Sequence, residues 1–265
     1  MLAPDWNHLR IGPYLRRERD KREYHRLFQF PHYVHGFRRL WLLVRLPKRL
    51  APRIEDAPID LNQRQLVVFE NRVSENFEHH FHEVAGRAPE LLDALRRMTR
   101  PRYLPRGEAR GHVAIHVRLG DFSVPQAEIV LREGLRNVRL PIQWYVETLA
   151  ALRKSLGIEI PALVYSDGED TALAALLTQP GVRRAARGTA VTDLLEMVEA
   201  TAMISSGSGF SIWACFLGRV PRLCFPSQRQ LRVLGEPSDV DLEPELDFGA
   251  SVSEGFAAAI TRRLL

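Results

Sequence analysis

The chain has 265 residues, 45% hydrophobic and 26% charged, with 37 Lys+Arg against 32 Asp+Glu and a net charge of +5. So much apolar content with so little net charge excludes a disordered chain, and Gly and Pro at 17 each exclude a collagen-like one. Two cysteines, Cys215 and Cys224, are too few for a disulfide framework, no apolar run is long enough for a membrane span, and the opening residues lack the order of a signal peptide, so the expected compartment is the cytoplasm.

The charge is uneven. Residues 1–50 hold 12 Lys+Arg and 4 Asp+Glu, net +8, which leaves 25 against 28, net −3, for the rest. Such a basic segment fits nucleic acid, an anionic membrane or a phosphorylated substrate, and equally a plain solvated surface. Only Lys21, Lys48 and Lys154 are lysine, a bias of genome composition rather than of recognition. Trp41, Leu42, Leu43 and Val44 form a short apolar run, read as a strand or a helical turn against a core. With its basic neighbours it also raises peripheral association with the inner face of a membrane. Pro47, Pro52 and Pro58 then break the chain. Leu66, Phe69, Val73, Phe77, Phe81 and Val84, spaced three and four apart, predict a helix over 62–98, continued past Pro89 by Leu91, Leu92, Leu95 and Met98. His79, His80 and His82 within it are read as an exposed helix face, not as metal ligands. The Pro-, Gly- and Arg-rich segment 100–111 is the expected hinge, dividing a mainly helical N-terminal domain, 1–104, from a second domain, 105–265.

Beyond the hinge, strands alternate with helices. Residues 112–118 (HVAIHVR), 161–166 (PALVYS), 201–205 (TAMIS) and 220–225 (VPRLCF) read as strands. Residues 141–156, 169–177, 190–200, 209–217 and 251–263 read as helices, the third with Thr192 or Asp193 near its start. This order predicts an α/β fold with a parallel, Rossmann-like sheet, whose ligands bind beyond the carboxyl ends of the strands.

Chemistry gathers at those strand ends. The first carries His116, Arg118 and Asp121 (HVRLGDF). The second carries Ser166 and Asp167 (SDGED). The third carries Ser205, Ser206, Gly207, Ser208, Gly209, Phe210 and Ser211, a small-residue loop opening a helix. Amides at a helix N-terminus suit an anion, and an arginine fork suits a phosphate. A strand-end carboxylate suits the N–H edge of guanine. Each feature also has a plainer reading: Arg118–Asp121 as an ion pair closing a turn, Asp167 as a helix N-cap, and the Ser/Gly run as a turn. No P-loop and no GxGxxG after a strand is present, so P-loop NTPases and dinucleotide oxidoreductases are not expected.

With these residues in place, HVRLGD resembles the H-x-R-x-x-D motif of the α1,2-/α1,6-fucosyltransferase superfamily, and SDGED its S/T-D-D segment. VTDLLEMVEATAMISSGSGFSIWACFLG is similar to the bacterial α1,2-fucosyltransferase (glycosyltransferase family 11-like) stretch E-D-L-x-L-M-x-x-C-x-x-x-I-x-A-N-S-S-F-S-W-W-G-A-W-L. The likeness covers about 112–226. It implies a GT-B fold, a C-terminal domain binding GDP-fucose, an acceptor-side N-terminal domain, and inverting transfer without a metal or other cofactor. It implies that Arg118 holds the β-phosphate and stabilises the leaving GDP, that His116 lies near the nucleotide, and that Asp121 supports the arginine. It implies further that Asp167 recognises guanine and that Ser208, Phe210 and Ser211 cradle the diphosphate. The acceptor would be a glycan or lipid-linked glycan of bacterial surface-polysaccharide assembly. Leu119 stands where the motif has a second arginine and Gly168 where it has a second aspartate. No G-G-L-G-N-Q segment occurs, so the chain reads as a truncated or a divergent member. The competing expectations are a degenerate nucleotide-sugar-binding module without turnover and a nucleic-acid-binding domain. The last is set aside because no recognisable RNA-binding motif is present.

Overall fold

A computed structural model describes residues 26–29, 33–34, 36–51, 64–69, 81, 84–107, 111–125, 131–186, 188–235 and 239–265. The chain forms two compact units, Met1–Glu83 and Val84–Leu265.

In the first unit the described residues form helix α1 (Gly36–Arg45) and strands β1 (Lys48–Ala51) and β2 (Leu66–Phe69). The apolar run at Trp41 is therefore helical. α1 ends two residues before Pro47, which cannot continue a helical hydrogen-bond ladder. β1 and β2 pair in parallel, Lys48 opposite Leu66. Residues 66–69 are thus strand where spacing predicts helix. Their sequence, Leu-Val-Val-Phe, suits a strand, and a partner some twenty residues upstream, invisible to local periodicity, decides the outcome. The histidines at 79, 80 and 82 lie outside the described residues.

The second unit opens with α2 (Ala88–Met98) and continues β3 (Val113–Val117), α3 (Ile142–Leu156), β4 (Ala162–Ser166), α4 (Ala174–Leu177), β5 (Val182–Arg184), α5 (Ala190–Val198), β6 (Ala202–Ser205), α6 (Gly209–Gly218), β7 (Arg222–Cys224) and α7 (Glu254–Leu264). The units divide at 83/84, earlier than the 104/105 hinge. The reason is physical: α2 packs on α6, and Arg96 pairs with Glu199. The helix over 169–177 shortens to its last turn, while α5 begins at Ala190 as expected, with Thr192 and Asp193 near its start and Thr189 as its cap.

All five strands of this unit are parallel, in the order β5-β4-β3-β6-β7. Numbered along the sheet this is 3-2-1-4-5, the doubly wound Rossmann-like order, and its reversal falls between β3 and β6. Period-two alternation sends Val113, Ile115 and Val117 into one apolar cluster with Trp144, Leu149 and Leu152 of α3 and Phe256 and Ile260 of α7. Trp144 donates its indole N–H to the Leu246 carbonyl at 2.8 Å, so the large ring is buried with its polar atom satisfied. Gly157 takes φ +68° to end α3 in a left-handed cap.

β7 is held from its outer side by a buried ion pair. Arg222 Nε donates to Glu243 Oε1 at 2.9 Å, and Glu243 Oε2 accepts the Val233 and Leu234 amides at 2.9 Å each. Glu243 therefore fastens the Val233–Leu234 backbone to the sheet. Asp239-Val240-Asp241, metal-like in form, is structural at Asp241: both carboxylate oxygens take Arg232, at 2.7 and 2.9 Å. Among the described residues no helix is long and apolar enough to cross a membrane.

Candidate functional site

The strand-order reversal brings the first and third expected segments side by side. β3 and β6 are neighbours, with Ile115 opposite Ile204, so His116 and Ser205 fall at the same level of the sheet. His116 is buried, with Nδ1 3.0 Å from Ser206 Oγ and its ring 5.5 Å from that of Phe210. Burial, and then the nearby Arg118 charge, push its pKa down to about 3 against an opposing pull from Asp167, so the imidazole is neutral at pH 7.

The serine loop is a closed network. Ser211 Oγ donates to the Ser208 carbonyl at 2.9 Å, which leaves Ser205 Oγ, 2.9 Å away, as donor to Ser211 Oγ; Ser205 Oγ in turn accepts the Gly207 amide at 3.2 Å. Ser208 caps α6 by accepting the Phe210 amide at 3.1 Å. Gly207 has φ +71°, and a Cβ there would lie 2.7 Å from the Gln228 carbonyl, so the loop requires glycine on two counts. Ser205, Ser206 and Ser211 are buried and serve mainly to shape the loop. Half-buried Gly209 and Phe210 are what the loop offers to the surface, at the positive end of the α6 dipole.

Arg118, just past β3, is partly exposed. Its guanidinium pairs with Asp121, pairs through Nη1 with Asp167 Oδ2 at 2.9 Å, and lies 5.3 Å from the centre of the Phe122 ring. Asp167 Oδ1 accepts the Leu119 amide at 2.8 Å. Asp167 therefore latches the β4 loop to the β3 loop and caps no helix. Behind it, Arg184 donates to the Ser166 and Gly168 carbonyls at 2.9 and 2.7 Å and pairs with Asp170. The two departures from the resembled motif touch each other: a Cβ on Gly168 would lie 2.4 Å from Leu119 Cδ1. Buried Leu119 fills the space beside Gly168.

All seven expected residues thus fall at the carboxyl edge, in two groups. His116, Ser208, Phe210 and Ser211 form one, and Arg118, Asp121 and Asp167 the other. Sequence reasoning missed Gln228, whose side chain donates to the Leu131 and Leu135 carbonyls at 2.8 and 3.0 Å while its own carbonyl closes over Gly207. The turn signal Pro226-Ser227 after β7 marks that loop but gives no hint of its neighbour.

Compared with known proteins, the chain matches no family model, and no curated protein and no solved structure is significantly similar to it. Among the described residues no group of three His, Cys, Asp or Glu side chains could hold a metal ion.

Proposed function

We propose that the second unit binds a nucleoside-diphosphate sugar at the carboxyl edge of β3 and β6, and that the protein is an inverting glycosyltransferase with a GT-B-like plan. The donor we favour is GDP-fucose and the acceptor a glycan of surface-polysaccharide assembly, both taken from the resemblance of 112–226. The observation that carries the proposal is that β3 and β6 are neighbours at the strand-order reversal, so that the arginine just past β3 and the serine-capped helix N-terminus after β6 leave the same edge of the sheet. Both suit a diphosphate.

In this reading the acceptor hydroxyl attacks the anomeric carbon as the bond from that carbon to the diphosphate oxygen breaks. The nucleoside diphosphate leaves with the electron pair, and the hydroxyl proton passes to solvent. Charge grows on the leaving diphosphate, so Arg118 and the α6 amides act most strongly in the transition state. The phosphate takes Arg118 from Asp121 and Asp167. Neutral His116 positions Ser206 and Phe210 without adding charge. Asp167, 2.9 Å from Arg118 in the structure, holds the arginine in place, and the carboxylate oxygen that Arg118 leaves on binding phosphate is open to the N–H edge of guanine, the role the resemblance implies.

Calorimetric titration of the full chain tests the proposal. GDP binds without added metal and more tightly than GMP, whose lack of a β-phosphate removes the Arg118 contact. Equal affinity for GMP and GDP removes the diphosphate assignment, and equal affinity for GDP and ADP removes guanosine from the donor. A second reading, a binding module without turnover, is favoured by Arg118 being already paired with two carboxylates. Tight GDP binding with no hydrolysis or transfer of GDP-fucose supports it.

A further inference from the structure

α1 carries its large apolar side chains outward. At about 100° per residue, Phe37, Leu40, Trp41 and Val44 share one face. They are 91%, 57%, 54% and 75% exposed. Leu42 and Leu43, off this face, are half-buried. Exposed Arg38 and Arg45 flank the stripe, exposed Lys48 and Arg49 follow on β1, and residues 36–50 contain no Asp or Glu.

We propose that this face of the first unit lies on an anionic lipid bilayer, with the four apolar side chains at the headgroup boundary and Arg38, Arg45, Lys48 and Arg49 on lipid phosphates. An apolar stripe with Trp, edged by cations, matches the two layers of such a surface. Ten residues are too few to span, so the helix lies in the interface plane. Charge argues for lipid over a second copy of this chain, because two copies would bring the same cations together. The proposal stands apart from the transferase reading, since it uses no residue of the second unit.

The test is cosedimentation of the full chain with vesicles of phosphatidylcholine alone and of phosphatidylcholine mixed with phosphatidylglycerol. Binding to the mixed vesicles is expected, weakened by salt. Arg38→Gln and Arg45→Gln each lower the affinity about fivefold. Trp41→Ser lowers it about tenfold or more. All three sites are exposed, and thermal melts verify that the variants fold; the arginine variants leave the apolar stripe intact should Trp41→Ser fail to fold. Four results overturn the proposal: no binding to the mixed vesicles, equal binding to both compositions, binding unchanged by Trp41→Ser or by the arginine variants, and self-association abolished by Phe37→Ser, which would assign the face to a second copy.

Discussion

Val113, Ile115 and Val117 turn one face of β3 into the apolar cluster beneath α3 and α7, whereas His116, on the alternate face, meets Ser206 and Phe210. Both faces are buried, yet they do different work. The apolar face gains stability from area removed from water and makes no demand for polar partners. The other face has buried an imidazole and several hydroxyls, and their hydrogen bonds close among themselves. Stability and site-building are thus separated across the thickness of one strand, and each face can be perturbed without the other.

The largest effect belongs to the apolar face. Ile115→Ala should cost about 2–5 kcal/mol, because the packed cluster cannot fully close over the cavity. Urea denaturation measures it, and nucleotide affinity of the folded fraction should be unchanged. A cost below 1 kcal/mol would break the comparison. The next effect is titration of the polar face. His116 in the folded chain holds its pKa at about 3, below the ordinary 6.5, so between those values the unfolded chain binds a proton that the folded chain does not. Stability therefore falls as pH falls from 6.5 toward 3, by about 2 kcal/mol near pH 5. Asp193 on α5 runs the other way: burial, and then Glu196, raise its carboxyl to about 7, so its contribution falls as pH rises from its ordinary 3.8. His116→Gln removes only the first slope, and an unchanged acid limb in that variant would contradict a buried neutral imidazole. The smallest effect is at the helix cap. Ser208→Ala should cost about 1 kcal/mol by thermal melt, with glycine at 208 recovering part of it.

Much of the second unit was legible. β3 and β6 announce themselves by β-branched, apolar residues between turn signals, and the Ser/Gly run before Phe210 marks the start of α6. β5 escaped because Val182-Arg183-Arg184 is a three-residue edge strand whose arginines give no apolar alternation. The first unit misled because helical spacing and a strand coincide at Leu66 and Phe69, and only the pairing with β1 separates them. In the site, residue types and order were readable, but contacts were not. Asp167 and Leu119 lie 48 residues apart, and the bond that makes Asp167 a latch depends on β3 and β4 being neighbours. The Arg222–Glu243 pair was hidden for the same reason, since nothing local tells a buried arginine in a short strand from a solvated one.

The central claim is that Arg118 holds the diphosphate, and its most direct measurement is a thermal shift of the full chain and of Arg118→Lys, each with and without GDP. Lysine keeps the charge but loses the bidentate fork. Partly exposed ion pairs contribute little, so without GDP the two melting temperatures should nearly coincide. GDP should raise the melting temperature of the unaltered chain, and the variant should need about ten to a hundred times more GDP for the same rise, the loss of one charged hydrogen bond. An equal GDP-induced rise in both proteins, or none in the unaltered chain, would contradict the account.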